Sequence, residues 1–517
     1  MTDPAVVIVG AGPTGLMLAA ELALAQVEVA LLERRPDQEL IGQRALGFFA
    51  RTTEVFDQRG IADRFLKQAK VGQFGGFAWI PLDISDFPTR HNYGVGLAQQ
   101  QIERILAEWV GDLGVPIQYG TEVTGFAQAE AAIHVELSDG RTLHAQYLVG
   151  CDGGRSMVRK NAGIEFPGWD ASISNLIGEV ELTDEPEWGV HRIGGGLHSF
   201  ARPNGHGLSR VMVAEQQPGR TDEPTLHDLS EALTTAFGTD YGLRRAAWIS
   251  RFSDMARQAA AYRDGRVLLA GDAAHVHYPM GGQGLGVGVQ DAVNLGWKLA
   301  QVVNGTAPET LLDTYHAERH PVAAHVLHNT LAQVALTATG PRTEALRDIV
   351  TDLLSLDEPR KRIAAMMTGL DIRYAPNAAD SDPTPTLTPT LTPTPDPDEA
   401  HPLLGRRMPD LDLVTPDGPQ RVYTLLHAAR PVLLSFATPG AFDLTGWTHR
   451  VQLVEAEHAR TGPETAPAHS WQLPVLGPVP APQAVLIRPD GYVAWAGAPR
   501  DPGLPDALTK WFGPPSP

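Results

Sequence analysis

Val6-Val7-Ile8-Val9-Gly10-Ala11-Gly12-Pro13-Thr14-Gly15 is the stretch that decides the fold. Residues 5–9 form a short, wholly apolar run rich in β-branched side chains, the composition of a central parallel strand buried on both faces. Three glycines follow at GxGxxG spacing. Gly10 permits the tight turn, Gly12 lets the backbone approach a pyrophosphate, and Gly15 lets the next helix lie against the strand. A helix over 13–25 opens with Pro13 and Thr14 and aims its free amides and positive dipole end at that turn. A second strand over 27–32 ends at Glu33, 18 residues past Gly15, where a carboxylate accepts hydrogen bonds from the hydroxyls of an adenosine ribose. Arg34 stands beside it. Strand, turn, helix, strand and acid in this order predict a bound dinucleotide, without separating NAD from FAD.

Far along the chain, Arg266-Val267-Leu268-Leu269-Ala270 reads as another apolar strand, and Gly271-Asp272 at its tip puts a carboxylate where a sugar-alcohol chain could bond to it. The loop that follows, His277-Tyr278-Pro279-Met280-Gly281-Gly282-Gln283-Gly284-Leu285-Gly286-Val287-Gly288, is dense in glycine and runs into a helical pattern over 291–303. Unblocked amides and a helix dipole there would stabilise negative charge at the pyrimidine edge of an isoalloxazine. This second segment selects a flavin. His275 and His277 lie two apart beside Asp272, but a loop against a flavin accounts for them and no metal site is assigned.

Taken together, Gly10 to Gly15, Glu33, Arg44 within Gln43-Arg44-Ala45-Leu46-Gly47, Asp152-Gly153 within Val149-Gly150-Cys151-Asp152-Gly153-Gly154-Arg155-Ser156, and Gly271-Asp272 resemble the FAD-dependent aromatic hydroxylases of the para-hydroxybenzoate hydroxylase type. Within that family the chain is most similar to the aromatic polyketide hydroxylases. Ala50-Arg51-Thr52-Thr53-Glu54-Val55-Phe56-Asp57, His401-Pro402-Leu403-Leu404-Gly405 and Arg488-Pro489-Asp490-Gly491 carry that likeness.

The resemblance implies an α/β fold. A glutathione-reductase-type, Rossmann-like FAD domain would be interleaved with an antiparallel-sheet substrate domain, followed by a thioredoxin-like C-terminal domain. It places Asp152 and Gly153 near the FAD pyrophosphate, Asp272 on the ribityl chain, Pro279 beside the flavin ring, and Arg44 and Gln99 against the flavin or its phosphates. Gly282, Gly284, Leu285 and Gly286 complete the cofactor candidates. Where the family loop commonly ends in asparagine, this chain has Gly286, which removes a side-chain amide beside the pyrimidine edge. The implied activity is hydroxylation of a polycyclic aromatic polyketide through a flavin C4a-hydroperoxide in antibiotic biosynthesis, consuming oxygen and NADPH or NADH as a transient reductant. Baeyer-Villiger insertion, antibiotic inactivation, and a non-oxygenating scaffold or dehydratase on the same fold stay open.

Organisation follows composition. A chain of 517 residues predicts two or three domains. The FAD domain is expected over 1–73, 97–168 and 254–330, and the substrate sheet over 74–96 and 169–253. A helical segment over 331–380, a Pro/Thr-rich linker over 381–400 and a C-terminal domain over 401–517 follow. That last domain contains no cysteine, which excludes dithiol chemistry and leaves packing or homodimer formation as its expected role. A net charge of −19 argues against nucleic acid or anionic membranes as partners. The single cysteine, Cys151, rules out an internal disulfide and favours a cytoplasmic home. Candidate substrate contacts are Trp79, His91, Tyr93, Phe200 and Arg202, which fall in the expected sheet layer, and Arg51, if it reaches the pocket. The catalytic base is left unassigned.

Overall fold

The run 6–9 becomes the strand Val6–Val9, with all four side chains buried. It pairs in parallel on one side with Val29–Leu32 and on the other with Tyr147–Gly150. Val267–Leu269 adds in parallel beside Tyr147–Gly150, and Ile117–Gln118 beside Val29–Leu32. Arg263–Asp264 pairs antiparallel with Val267–Leu269 and forms the edge of the six-stranded sheet opposite Ile117–Gln118. Parallel neighbours need crossover connections. The helix Pro13–Leu24 is the first of these, and the strand ends carrying Gly10, Glu33, Cys151 and Gly271 therefore gather at one sheet edge, where α/β folds bind ligands.

The computed structural model describes residues 3–40, 42, 45–73, 75–193, 196–220, 222–375, 401–458 and 470–516. Arg44 and the Pro/Thr-rich stretch 381–400 lie outside them.

A second, five-stranded antiparallel sheet is ordered 189–193, 196–200, 209–214, 174–182, 243–253. The helix Leu226–Phe237 packs Leu229 and Leu233 onto one face, against Leu176, Val180, Phe200, Val211 and Val213. The other face, with Ile177, Leu197 and Phe252, meets Tyr278 and Met280 of the glycine-rich loop. Of the segment expected over 74–96, the described residues 75–96 do not extend this sheet. Gly76–Phe77 and Ile80–Pro81 make a two-stranded ladder of their own, and Gly94–Gly96 pairs with Gly47–Phe48 and Lys70–Gly72. The apolar side chains of that segment, Ile80, Leu82, Ile84 and Phe87, are instead buried against the helix Asp357–Thr368.

Three helices, Asp313–Ala335, Pro341–Leu354 and Asp357–Thr368, carry the chain toward its C-terminal part. There, Gln452–Glu455 and Val432–Ser435 pair in parallel, and Ala484–Ile487 and Val493–Gly497 continue the sheet antiparallel. The last helix, Gly503–Phe512, buries Trp511 and Phe512 in a cluster that includes Trp297 and Leu311. Among the described residues no helix is long and apolar enough to cross a membrane.

Candidate active site

Thr14 is where the two distant motifs meet. A Cβ placed on Gly271 would lie 2.5 Å from Thr14 Oγ1, and one on Gly288 would lie 2.4 Å from it. The cradle turn, the Gly-Asp turn and the helix Gly284–Val303 therefore close on a single side chain, which only two glycines can admit. Gly10, at φ +102°, presses on the carbonyl of Cys151, and Gly15 packs on the carbonyl of Gly10. Gly12 differs: nothing lies within 4 Å of its missing Cβ, so its face is open to the cleft.

One continuous cleft of about 2420 Å³ runs past these groups. Gly10, Gly12, Pro13, Thr14, Glu33, Arg34 and Gln99 line it. Asp152, Gly153, Asp272, Pro279, Gly282, Gly284 and Leu285 line it as well. Gly15, Gly271 and Gly286 stand behind that surface, where they set how closely the elements approach.

The acids are held in place by backbone amides. Glu33 accepts from the amide of Ala11 at 2.8 Å and from that of Arg35 at 2.9 Å. Arg35 also bonds Glu103 at 3.0 Å, and Gln99 donates to Glu103 at 2.9 Å. Asp152 Oδ2 accepts from the amides of Met157 and Val158 at the start of a short helix, while its Oδ1 is buried without a partner. Arg159 ties the two turns together through the carbonyls of Gly154 and Ala273.

Behind the Gly-Asp turn lies a buried charged group that sequence reasoning missed. Asp291 accepts from the amide of Gly271 at 3.1 Å, from His275 at 2.7 Å and from Arg319 at 2.7 Å. Burial alone would raise the Asp291 carboxyl, but Arg319 and His275 outweigh it and hold the group below its ordinary range. Arg35 was missed too. Asp291 could be suspected only as a charge in an otherwise apolar stretch, whereas Arg35 stands among the charges of residues 33–37 and its partner Glu103 is remote in sequence.

Of the substrate candidates, Trp79 alone lines the cleft, half-exposed and at φ +68°. The others are displaced for identifiable reasons. Arg51 is buried away from the cleft, paired with Glu54 at 3.2 Å and donating to the carbonyl of Asp490 at 2.9 Å. His91 bridges Asp57 and Tyr93, each at 2.9 Å, which occupies all three side chains structurally. Phe200 belongs to the core under the helix Leu226–Phe237, and Arg202 lies exposed over the Trp188 ring. Trp248, Phe252, Met280, Phe49 and Gln333 line the cleft instead. Trp248 and Phe252 sit on the strand Leu243–Ser253, four residues apart, so a period-two reading of that strand carried the signal.

The residues present suit a flavin dinucleotide: an open glycine face at a helix start, an acid at the second strand tip, and a second acid further along the same cleft. Fold and cleft together define a dinucleotide-dependent α/β oxidoreductase with an aromatic-walled chamber. The family model for the FAD binding domain matches residues 3–330, and that for the aromatic-ring hydroxylase C-terminal region matches 401–515. The chain is 42% identical to the 12-dehydrotetracycline 5-monooxygenase/anhydrotetracycline 6-monooxygenase of Streptomyces rimosus subsp. rimosus, over 99% of each chain. It is 40% identical to the rifampicin monooxygenase of Streptomyces venezuelae, over 98% of each. The solved structure of an anhydrotetracycline hydroxylase from Streptomyces rimosus superposes with a TM-score of 0.87 at 41% identity, covering 100% of both chains. The chain belongs to the FAD-dependent aromatic-ring hydroxylase family.

Proposed function

We propose that this protein is an FAD-dependent, NAD(P)H-consuming monooxygenase that hydroxylates a polycyclic aromatic polyketide in antibiotic biosynthesis. One observation carries the reading: Glu33, Gly12, Asp152, Asp272 and Gly284 share a single cleft with the aromatic wall Trp248 and Phe252. A cofactor long enough to join Glu33 to Asp272 would present its ring system next to that wall. Relatives named for tetracycline and rifampicin chemistry support a large polycyclic substrate.

Bound FAD supplies the redox and oxygen chemistry. The chain's own residues do the rest. Gly12 and the amides at the start of Pro13–Leu24 would receive the pyrophosphate, Glu33 the ribose hydroxyls and Asp272 the sugar-alcohol chain. The amides at the start of Gly284–Val303 would meet the pyrimidine edge. Trp248, Phe252, Met280 and Phe49, which line the cleft, would hold a flat ring by stacking and contact and shield it from water. NADPH or NADH would act as a visiting reductant over the Asp152-Gly153 side of the cleft. The C-terminal part is read as thioredoxin-like in its strand arrangement, without redox function, and the FAD and sheet regions as interleaved along the chain.

The test is anaerobic. Purified flavoprotein mixed with NADPH and hydroxylated anthraquinones is expected to lose its yellow colour faster with substrate than without it, and to yield a product heavier by one oxygen atom on admitting air. No substrate-stimulated bleaching with either reductant would count for the non-oxygenating scaffold. An inserted ring oxygen in the product would count for the Baeyer-Villiger reaction.

A further inference from the structure

The two-residue turn that joins Gly76–Phe77 to Ile80–Pro81 is strained, and side chains from elsewhere hold it so. Phe77 pairs with Ile80, which makes Ala78 and Trp79 its central residues. Both stand at positive φ, +49° and +68°. A turn with two such residues twists as a tight hairpin requires, but it suits Asn-Gly. Alanine, and above all a bulky tryptophan, adopts that backbone at a cost. Such a turn persists where its surroundings fix it. Here both backbone groups of Ala78 are claimed by side chains. Gln333, on the helix Asp313–Ala335, accepts from the Ala78 amide at 3.0 Å, and Arg347, on Pro341–Leu354, donates to the Ala78 carbonyl at 2.5 Å. Ala78 and Gln333 are fully buried. Gln333 also abuts the glycine-rich loop, since a Cβ on Gly281 would lie 2.9 Å from its Nε2.

The residue this arrangement presents is Trp79. It lines the same cleft as Gln333, Pro279, Gly281 and Gly282 and keeps 53% of its surface accessible. Among the described residues no aromatic ring stacks on its indole and no cation sits over it. A strained, doubly anchored turn and an indole face left open on a cleft have one use in common, a contact surface set before the ligand arrives. We propose that Trp79 is a stacking platform for a fused-ring substrate, and that Gln333 and Arg347 are positioning residues that set it by fixing the turn. An indole on a fixed turn loses little conformational freedom on binding, so its stacking counts toward affinity. The gain grows with the flat area offered, which makes Trp79 a determinant of substrate size.

This inference rests on the aromatic-hydroxylase reading, and its test keeps the two apart. The flavin-loaded enzyme is titrated with phenol and with 2-hydroxyanthraquinone, and dissociation constants are read from the flavin difference spectrum. Trp79→Ala is expected to weaken the anthraquinone about tenfold and phenol by less than about twofold, with flavin content unchanged, and Trp79→Phe to recover part of the loss. Gln333→Leu is expected to show the same selective loss and to add nothing in the double variant with Trp79→Ala. Ala78→Gly should repair it, because glycine takes positive φ without support. Arg347→Met removes the other hold and is expected to behave alike, which keeps the test in hand where Gln333→Leu does not fold. Equal weakening of both ligands in Trp79→Ala, no weakening of either, or loss of flavin overturns the platform. Additive losses in the double variant, or no repair by Ala78→Gly, overturn the positioning role, since Gln333 would then act in its own right. Wild type that binds neither ligand counts against the aromatic-substrate reading itself and removes this inference with it.

Discussion

At the scale of single residues, the cofactor end of the cleft is governed by where a methyl group fits. Gly271 sits at φ +63° with Thr14 Oγ1 2.5 Å from its Cβ position, so Gly271→Ala meets both backbone strain and a collision. The expected cost is about 1–3 kcal/mol of stability together with loss of bound flavin, seen as a lower unfolding midpoint and a paler preparation. Gly12→Ala is the contrasting case. Its φ of −75° is ordinary and nothing lies within 4 Å, so apo stability should stay within about 0.5 kcal/mol of wild type while FAD affinity falls. Equal losses of stability in both variants would show that Gly12 is a packing residue and not part of a cradle. Gly286 has a local reason as well. A Cβ there would lie 2.6 Å from Thr52 Oγ1, so Thr52 occupies the space into which the family's asparagine would grow. Gly286→Asn alone should therefore cost about 1–3 kcal/mol, and pairing it with Thr52→Ala should recover part of that in a denaturation series.

At the scale of elements, the Gly-Asp turn is positioned by the helix behind it. Asp291 on Gly284–Val303 holds the amide of Gly271 and the ring of His275, and is itself neutralised by the fully buried Arg319 of Asp313–Ala335. Asp291→Asn would leave that guanidinium without its carboxylate, a loss of about 3–5 kcal/mol. Chemical denaturation and the flavin visible spectrum should both register it, the second because the turn carrying Asp272 loses its anchor. A variant with unchanged spectrum and flavin content would show that the turn does not depend on Asp291. Elements of this kind separate what the sequence discloses from what it hides. The run 6–15 and the Gly271-Asp272 turn were legible because their constraints are local: strand periodicity, a glycine that must adopt positive φ, an acid at a strand tip. Asp291 and Arg319 were not, because a buried charge is explained only by partners that folding brings from far away. Arg51, His91 and Phe200 misled for the complementary reason. Their types suit a ligand as well as a structural partner, and only the packing around them decides. The segment expected over 74–96 alternates like a strand, yet within 75–96 Ile80, Leu82, Ile84 and Phe87 bury against the helix Asp357–Thr368, and its short strands pair outside the five-stranded sheet.

At the scale of the whole molecule, the C-terminal part is clamped to the rest by buried charge as much as by apolar contact. Arg59 pairs with Glu21 and donates to the carbonyls of Leu426 and Pro489, and Arg407 reaches Glu54. Arg488 holds Glu318 and Asp490 together, and Glu318 also accepts from Lys298 and Asn294. Burial by itself would raise the Glu318 carboxyl, but Arg488 and Lys298 outweigh it and lower it to about 2. The sign follows from linkage. A carboxyl depressed in the folded state contributes its stability at every pH above its unfolded value of about 4.3, and that contribution disappears as pH falls through the folded value. A depression of this size corresponds to about 3 kcal/mol, lost between roughly pH 4.3 and pH 2. Denaturant unfolding of wild type across that window should show stability falling with acid. Glu318→Gln should be less stable at neutral pH, because Arg488 and Lys298 lose their common partner, and should show a shallower fall on acidification. Parallel curves for the two proteins would place the acid sensitivity elsewhere.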